Sequence, residues 1–163
     1  VSTIQELPAG LVSPDDIHID TFLKDCERLY NIHKEIGDDY PFVASPFAFL
    51  PWMEAIMGCP VMASPNSLWA EPCVVDWKTW HWRRPELENP WARKLLELMQ
   101  ALVKHSNGRY PVATTLMRGP ADILSAMRGA GQFPMDFILY APTWPANSTR
   151  GPVLVQGQAS RPP

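Results

Sequence analysis

Tyr40-Pro41-Phe42-Val43-Ala44-Ser45-Pro46 is a short apolar run closed by proline, the pattern of a buried parallel strand that runs out into a loop. A second run, Tyr110-Pro111-Val112-Ala113-Thr114-Thr115-Leu116-Met117, has the β-branched content of a strand. Arg118-Gly119-Pro120 then turns the chain into a helix expected over 121–128 and stopped by Gly129. Helical patterns surround both runs. Asp20 offers an N-cap for a helix whose apolar positions Phe22, Cys26, Leu29 and Ile36 recur near helical spacing, and Gly37 supplies its stop. Pro51 opens a short helix, 52–57, closed by Gly58. Asn89-Pro90 starts a longer one, in which Trp91, Leu95, Leu98 and Leu102, joined by Leu96, Met99 and Val103, form a broad apolar face as far as Gly108. Helix, strand, helix, helix, strand, helix is the rhythm of parallel α/β architecture. In such folds the loops that leave the carboxyl ends of strands form the active face, so Ser45, Pro46 and Phe47 are better placed for ligand contact than Tyr40 or Pro41.

Composition narrows the function classes. A chain of 163 residues has room for one domain with a real core. Its 14 basic and 17 acidic side chains leave a net charge of -3, which builds no field to attract nucleic acid or an anionic membrane. No apolar run approaches the roughly 18 residues a membrane-spanning helix needs, and the opening VSTIQELPAG lacks the basic-then-apolar order of a secretory signal. A cytoplasmic location is expected. Cys26, Cys59 and Cys73 are far apart, with no CxxC spacing, so neither a disulfide framework nor a zinc knuckle is indicated, and reduced, packed thiols are expected. His33 lies in the first helix between Leu29 and Ile36 with no metal-site partner near it in sequence, which suits a packing histidine.

The stretch 60–88 is dense in proline and tryptophan and follows neither period; Trp69, Glu71, Trp77, Trp80, His81 and Trp82 fall in quick succession. It reads as a long ordered excursion with weak extended pieces near 73–77. Arg83 and Arg84 invite a carboxylate-binding reading, because a guanidinium holds an acid group in two parallel hydrogen bonds, although a solvated face accounts for them more simply. From Phe137 onward only Arg150 and Arg161 carry charge, and ASRPP closes a run without periodicity. The expected organisation is therefore an irregular lead-in over 1–19, a folded unit over 20–136 and an irregular tail over 137–163, the last either disordered or the product of a shifted or truncated reading frame.

The segment with most potential chemistry is Arg118-Gly119-Pro120-Ala121-Asp122-Ile123-Leu124-Ser125-Ala126-Met127-Arg128-Gly129. Gly119 lets a ligand approach the backbone, Pro120 pre-sets the first helical turn, and the free N–H groups there favour an anion such as a carboxylate. Asp122 stabilises that turn by itself and would repel an acid unless Arg118 balanced it. Capping is its simpler role.

RGPADILSAMRG resembles the strand-to-helix turn of the uroporphyrinogen decarboxylase superfamily, and FVASPFAFLPWMEAIMGCPV resembles that superfamily's first barrel strand with its "EA-x-G" turn, here Met53-Glu54-Ala55-Ile56-Met57-Gly58. WAEP, at 69–72, lies between them, and the resemblance covers about residues 20 to 136. It implies a partial (β/α)8 TIM barrel of α/β class, the first βα units only, since a complete barrel takes about 250 residues. It also implies a cytoplasmic lyase of porphyrin biosynthesis acting on a tetrapyrrole or related small substrate, inactive as this piece alone. The expected substrate-binding wall is Ser45, Phe47, Trp52, Arg118 and Asp122. Departures from the superfamily pattern bear on the reaction. No arginine-rich "RQAGRY" segment lies in 1–40, Ser45 or Pro46 stands where a strand-end aspartate is expected, and Ala126 stands for a pocket tyrosine. The related corrinoid-dependent methyltransferases place their zinc ligands in the second half of the barrel, so no cofactor is assigned to this chain. A further alternative is a non-catalytic assembly module that uses the Trp-rich stretch as its contact surface. Two βα units alone would leave open sheet edges, from which self-association is expected.

Overall fold

The computed structural model of the chain describes residues 7–37, 41–47, 49–65, 67–81 and 88–140. Strand β1 (Gly10–Val12) and a turn of 3-10 helix (Pro14–Asp16) precede helix α1 (Ile19–Ile36). Helix α2 (Trp52–Ile56), strands β2 (Val61–Ser64) and β3 (Ser67–Ala70), and helices α3 (Pro90–Ser106), α4 (Pro120–Arg128) and α5 (Gln132–Tyr140) follow.

The sheet overturns the expected barrel. Among the described residues the sheet is three-stranded and wholly antiparallel, in the order β1-β2-β3, so the molecule is mixed α/β and not a partial parallel (β/α)8 barrel. The two runs expected as barrel strands meet at a single isolated parallel bridge, Ala44 with Val112. The Ala44 N–H donates to the Pro111 carbonyl at 3.1 Å, and the Ala113 N–H donates to the Ala44 carbonyl at 2.8 Å. Proline explains why the ladder stops there. Pro41 and Pro46 bracket one run, Pro111 opens the other, and none of them has an N–H to donate. Val43 is half-exposed and Leu116 and Met117 lie open to solvent, which a parallel strand buried on both faces would not allow.

The strands that do form come from stretches whose sequence showed no strand pattern. β1 lies inside the expected lead-in, and β2 and β3 lie inside the excursion, upstream of the extended pieces expected near 73–77. Val12, Val61 and Ala63 point to one face and pack with Ala55, Leu68 and Trp91, while Leu11, Met62 and Trp69 form a cross-strand row on the other. Four-residue strands are too short to display a period. The turn between β2 and β3 begins with Pro65, whose fixed negative φ is incompatible with the φ > 0 that type I′ and II′ hairpin turns need at that position.

The helices follow the sequence more closely. α1 starts at Ile19 with His18 in the cap position, two residues ahead of the expected Asp20 cap, and closes at Gly37 in the left-handed region (φ 64°). In α3 the Asn89 side-chain oxygen accepts from the N–H groups of Trp91 (2.9 Å) and Ala92 (3.3 Å), Pro90 occupies the first turn, and Leu98 and Leu102 are wholly buried. The Asn89 amide also donates to the Ile56 carbonyl at 3.1 Å, joining the start of α3 to the end of α2. α5 crosses the boundary expected at 136 and continues to Tyr140, because Phe133, Asp136 and their neighbours make a helical turn anchored on Arg128. Residues 141–163, Asp38, Asp39, Trp82, Arg83 and Arg84 lie outside the described residues.

Buried side chains knit these pieces together. Ile17, Leu50, Trp52 and Leu98 fill the space between α2 and α3, and Cys26, Ala44, Leu102 and Tyr110 fill that between α1 and α3. Cys59, Val74 and Met127 join the stretch after β3 to α4.

Candidate functional site

Glu54 sits on α2 between the buried Trp52 and Ala55, and only 2% of it is exposed. A carboxylate so placed needs a counter-charge, because desolvating an ion without one is expensive. Arg118, in the segment that leads into α4, supplies it. Its Nε lies 2.9 Å from Glu54 Oε1, while 46% of the arginine side chain stays exposed. The other oxygen, Glu54 Oε2, has no hydrogen-bond partner among the described residues, and neither does the buried Thr115 hydroxyl three residues before Arg118. The pair therefore consists of a buried acid and a surface guanidinium whose Nη groups have no partner among the described residues. Such a fork can accept a carboxylate from solution while its Nε side remains neutralised from within.

The expected wall residues divide between this site and the core. Arg118 is in the site. Asp122 is exposed in the first turn of α4, and its carboxyl folds back toward Gly119, Oδ2 falling 3.7 Å from where a Cβ on that glycine would stand. No side-chain cap bond forms at Gly119, so Asp122 acts there through its charge at the helix start. Ser45 is half-buried beside the Ala44 bridge. Phe47 packs against Phe22 with ring centroids 4.5 Å apart, and its backbone has a positive φ of 21°. Trp52 is 1% exposed and meets Trp91 edge to face at 6.0 Å. Trp52 is a core group, and Phe47 packs, partly buried, against the same cluster. In the sequence Glu54 stands out only within a turn motif; the signal available was a charged residue flanked by apolar ones in a short helix, and its partner lies too far along the chain to be read by spacing.

Two further polar clusters emerge only in three dimensions. At the end of α3, Arg109 makes a bidentate pair with Glu27 of α1 (2.7 and 2.8 Å) and stacks over Tyr30 and Tyr110. Tyr110 Oη lies 2.7 Å from His105 Nδ1 and 3.5 Å from Cys26 Sγ. The hydrogen bonds from Arg109 hold the Glu27 carboxyl below its usual range. Burial pushes the Tyr110 hydroxyl and the Cys26 thiol up. A thiol held protonated is a poor nucleophile, so this cluster staples α1 to α3 and offers no activated cysteine. His33, on the same helix, sets its ring edge-on to Phe42 at 6.0 Å, as a packing histidine does.

The second cluster ties α5 down. Arg128 Nε and Nη2 reach Asp136 at 2.7 and 3.2 Å, Trp77 Nε1 donates to the same carboxylate at 2.8 Å, and Arg128 Nη1 donates to the carbonyls of Val74 and Val75. Trp77 and Trp80 pack on the Cys59, Val74 and Met127 core, while Trp69 is partly exposed with its Nε1 donating to Glu71 at 2.6 Å. Much of the Trp-rich stretch is thus used internally.

Among the described residues no group of three or more His, Cys, Asp and Glu side chains is arranged to hold a metal ion, and no helix is long and apolar enough to cross a membrane. No family model, curated protein or solved structure matches the chain.

Proposed function

We propose that the chain is part of an enzyme resembling the uroporphyrinogen decarboxylase superfamily, and that it contributes an anion contact, Arg118, for a carboxylate-bearing small molecule. The supporting observation is the 2.9 Å Arg118–Glu54 pair, which joins the two separate segments that carry the resemblance. Within that pair Glu54 fixes the arginine from the buried side, and the exposed Nη edge receives the substrate carboxylate. Asp122, at the head of α4, limits how close a second negative charge can come. The strand-end aspartate and the arginine-rich segment of tetrapyrrole decarboxylases have no counterpart in the sequence, so binding without turnover is the activity expected of this chain.

Titration with uroporphyrin, a fluorescent polycarboxylate, tests the reading. Arg118→Ala should weaken binding at least about tenfold, the worth of one charge-assisted contact. Arg118→Lys should recover only part of it, because an ammonium lacks the planar fork. Arg93→Ala, which removes an exposed arginine paired with Glu88, serves as the control and should change nothing. Wild-type protein that does not bind, or binding indifferent to Arg118→Ala, would overturn the reading.

A further inference from the structure

Cys59 and Cys73 are separated in sequence by a hairpin, yet their sulfurs lie 3.2 Å apart. A covalent sulfur–sulfur bond is about 2.05 Å long, so closure asks each side chain to move by only a fraction of an ångström or so. Each cysteine is also anchored through its backbone. The Cys59 N–H donates to the Glu54 carbonyl at 2.9 Å, directly after Gly58, whose φ of 100° sets the turn out of α2. The N–H groups of Cys73 and Val74 both donate to the Met127 carbonyl, at 2.9 and 2.8 Å, on the last turn of α4. Two thiols this close, with three backbone hydrogen bonds and a glycine turn fixing the chain on either side, are a preformed dithiol. Cys59 is buried, whereas Cys73 is partly open to solvent, which gives an oxidant one point of entry.

We propose that Cys59 and Cys73 form a reversible disulfide by exchange with a low-molecular-weight disulfide such as oxidised glutathione. The Cys73 thiolate attacks one glutathione sulfur, breaks its S–S bond and expels one glutathione thiolate. That thiolate takes the Cys59 proton, and the Cys59 sulfur then attacks Cys73 and expels the second glutathione. The protein pair loses two electrons and two protons, and the glutathione disulfide becomes two thiols. Burial pushes the Cys59 thiol up, with its neighbour Cys73 adding to the effect, so the second step is the slower one. The bridge would fasten the connection between α2 and β2 to the end of α4 through the stretch after β3. This assignment is independent of the carboxylate-binding reading.

The test uses the whole reduced chain, equilibrated with glutathione mixtures of rising oxidised fraction, blocked with N-ethylmaleimide in denaturant and digested with trypsin. Cys59 and Cys73 fall in one peptide, 35–78, and Cys26 falls in another, 25–28. The 35–78 peptide should lose two hydrogens and take up no maleimide, while 25–28 takes up one group at every ratio. Melting temperature should rise by about 5–10 °C on oxidation, as closing a loop of this length implies. Two maleimides on 35–78 at all ratios, or a glutathione retained on Cys73, would overturn the proposal. Cys73→Ser should abolish both the mass loss and the oxidation-dependent rise in melting temperature; a rise that survives the substitution also counts against it.

Discussion

Asp136 shows how much one carboxylate does in this structure. It accepts from Arg128, Trp77 and Gln132, and through Arg128 it is linked to the carbonyls of Val74 and Val75. Its hydrogen bonds to Arg128, first, and then to Trp77 hold its carboxyl below the ordinary value of 3.8. The native state therefore binds that proton less readily than the unfolded state does. The resulting stability is fully present above the unfolded value and disappears as pH falls through the lower native one. Asp136→Asn should accordingly lower the melting temperature at neutral pH, and the gap to wild type should shrink steadily below about pH 4. A gap unchanged between pH 6 and pH 3 would show that the carboxylate's charge is not what matters. Glu54 shows a different arrangement at the same scale, a buried acid balanced by one half-exposed guanidinium.

Elements here are decided by their ends. α3 is the clearest case: an asparagine cap, a proline in the first turn, an apolar face, and Asn107 in the left-handed conformation (φ 44°) at the close. All of these are local features; the cap, the proline and the apolar face were legible, whereas the sequence placed the stop at Gly108, one residue beyond Asn107. Asn89 also has a task that local sequence does not reveal, the 3.1 Å bond from its amide to Ile56. Asn89→Ala should cost about 1–2 kcal/mol in urea unfolding, near the upper end for a cap because both roles are lost. Asn89→Asp keeps the acceptor and removes the donor, so it should recover part of the loss; full recovery would mean that the link to α2 contributes nothing. The strands behaved differently. Apolar content at 42–45 and 112–117 suggested strands, yet proline on both sides limits them to one bridge. The hairpin at 61–70 stayed hidden because its strands are short and its turn opens with proline.

At the scale of the whole molecule, the three-stranded sheet has two edge strands among the described residues, β1 and β3. Leu11 on β1 is 67% exposed and lines up with Met62 and Trp69 across the outer face. Edge strands with apolar neighbours invite pairing between copies. Sedimentation velocity should show a coefficient that climbs with protein concentration, and Leu11→Lys should flatten that dependence; a wild-type coefficient that stays constant would refute pairing through this face. Of the expected binding wall, Arg118 and Asp122 share the head of α4, whereas Trp52 was drawn into the core and Phe47 packs against it. Position after an apolar run could not distinguish these outcomes, because aromatic rings are taken up wherever packing has room for them.

The sequence by itself determined helices α1 to α4 to within a residue or two at their ends, and the charge balance, because these depend on residues within a turn or two of one another and on simple sums; the His18 cap of α1 and helix α5 were not among them. Tertiary structure alone decided the sheet, the Glu54–Arg118 pair, the Cys59–Cys73 contact and the fate of each aromatic side chain. Those depend on which distant segments meet, and proline withheld the hydrogen bonds that would have let the apolar runs meet as a parallel ladder.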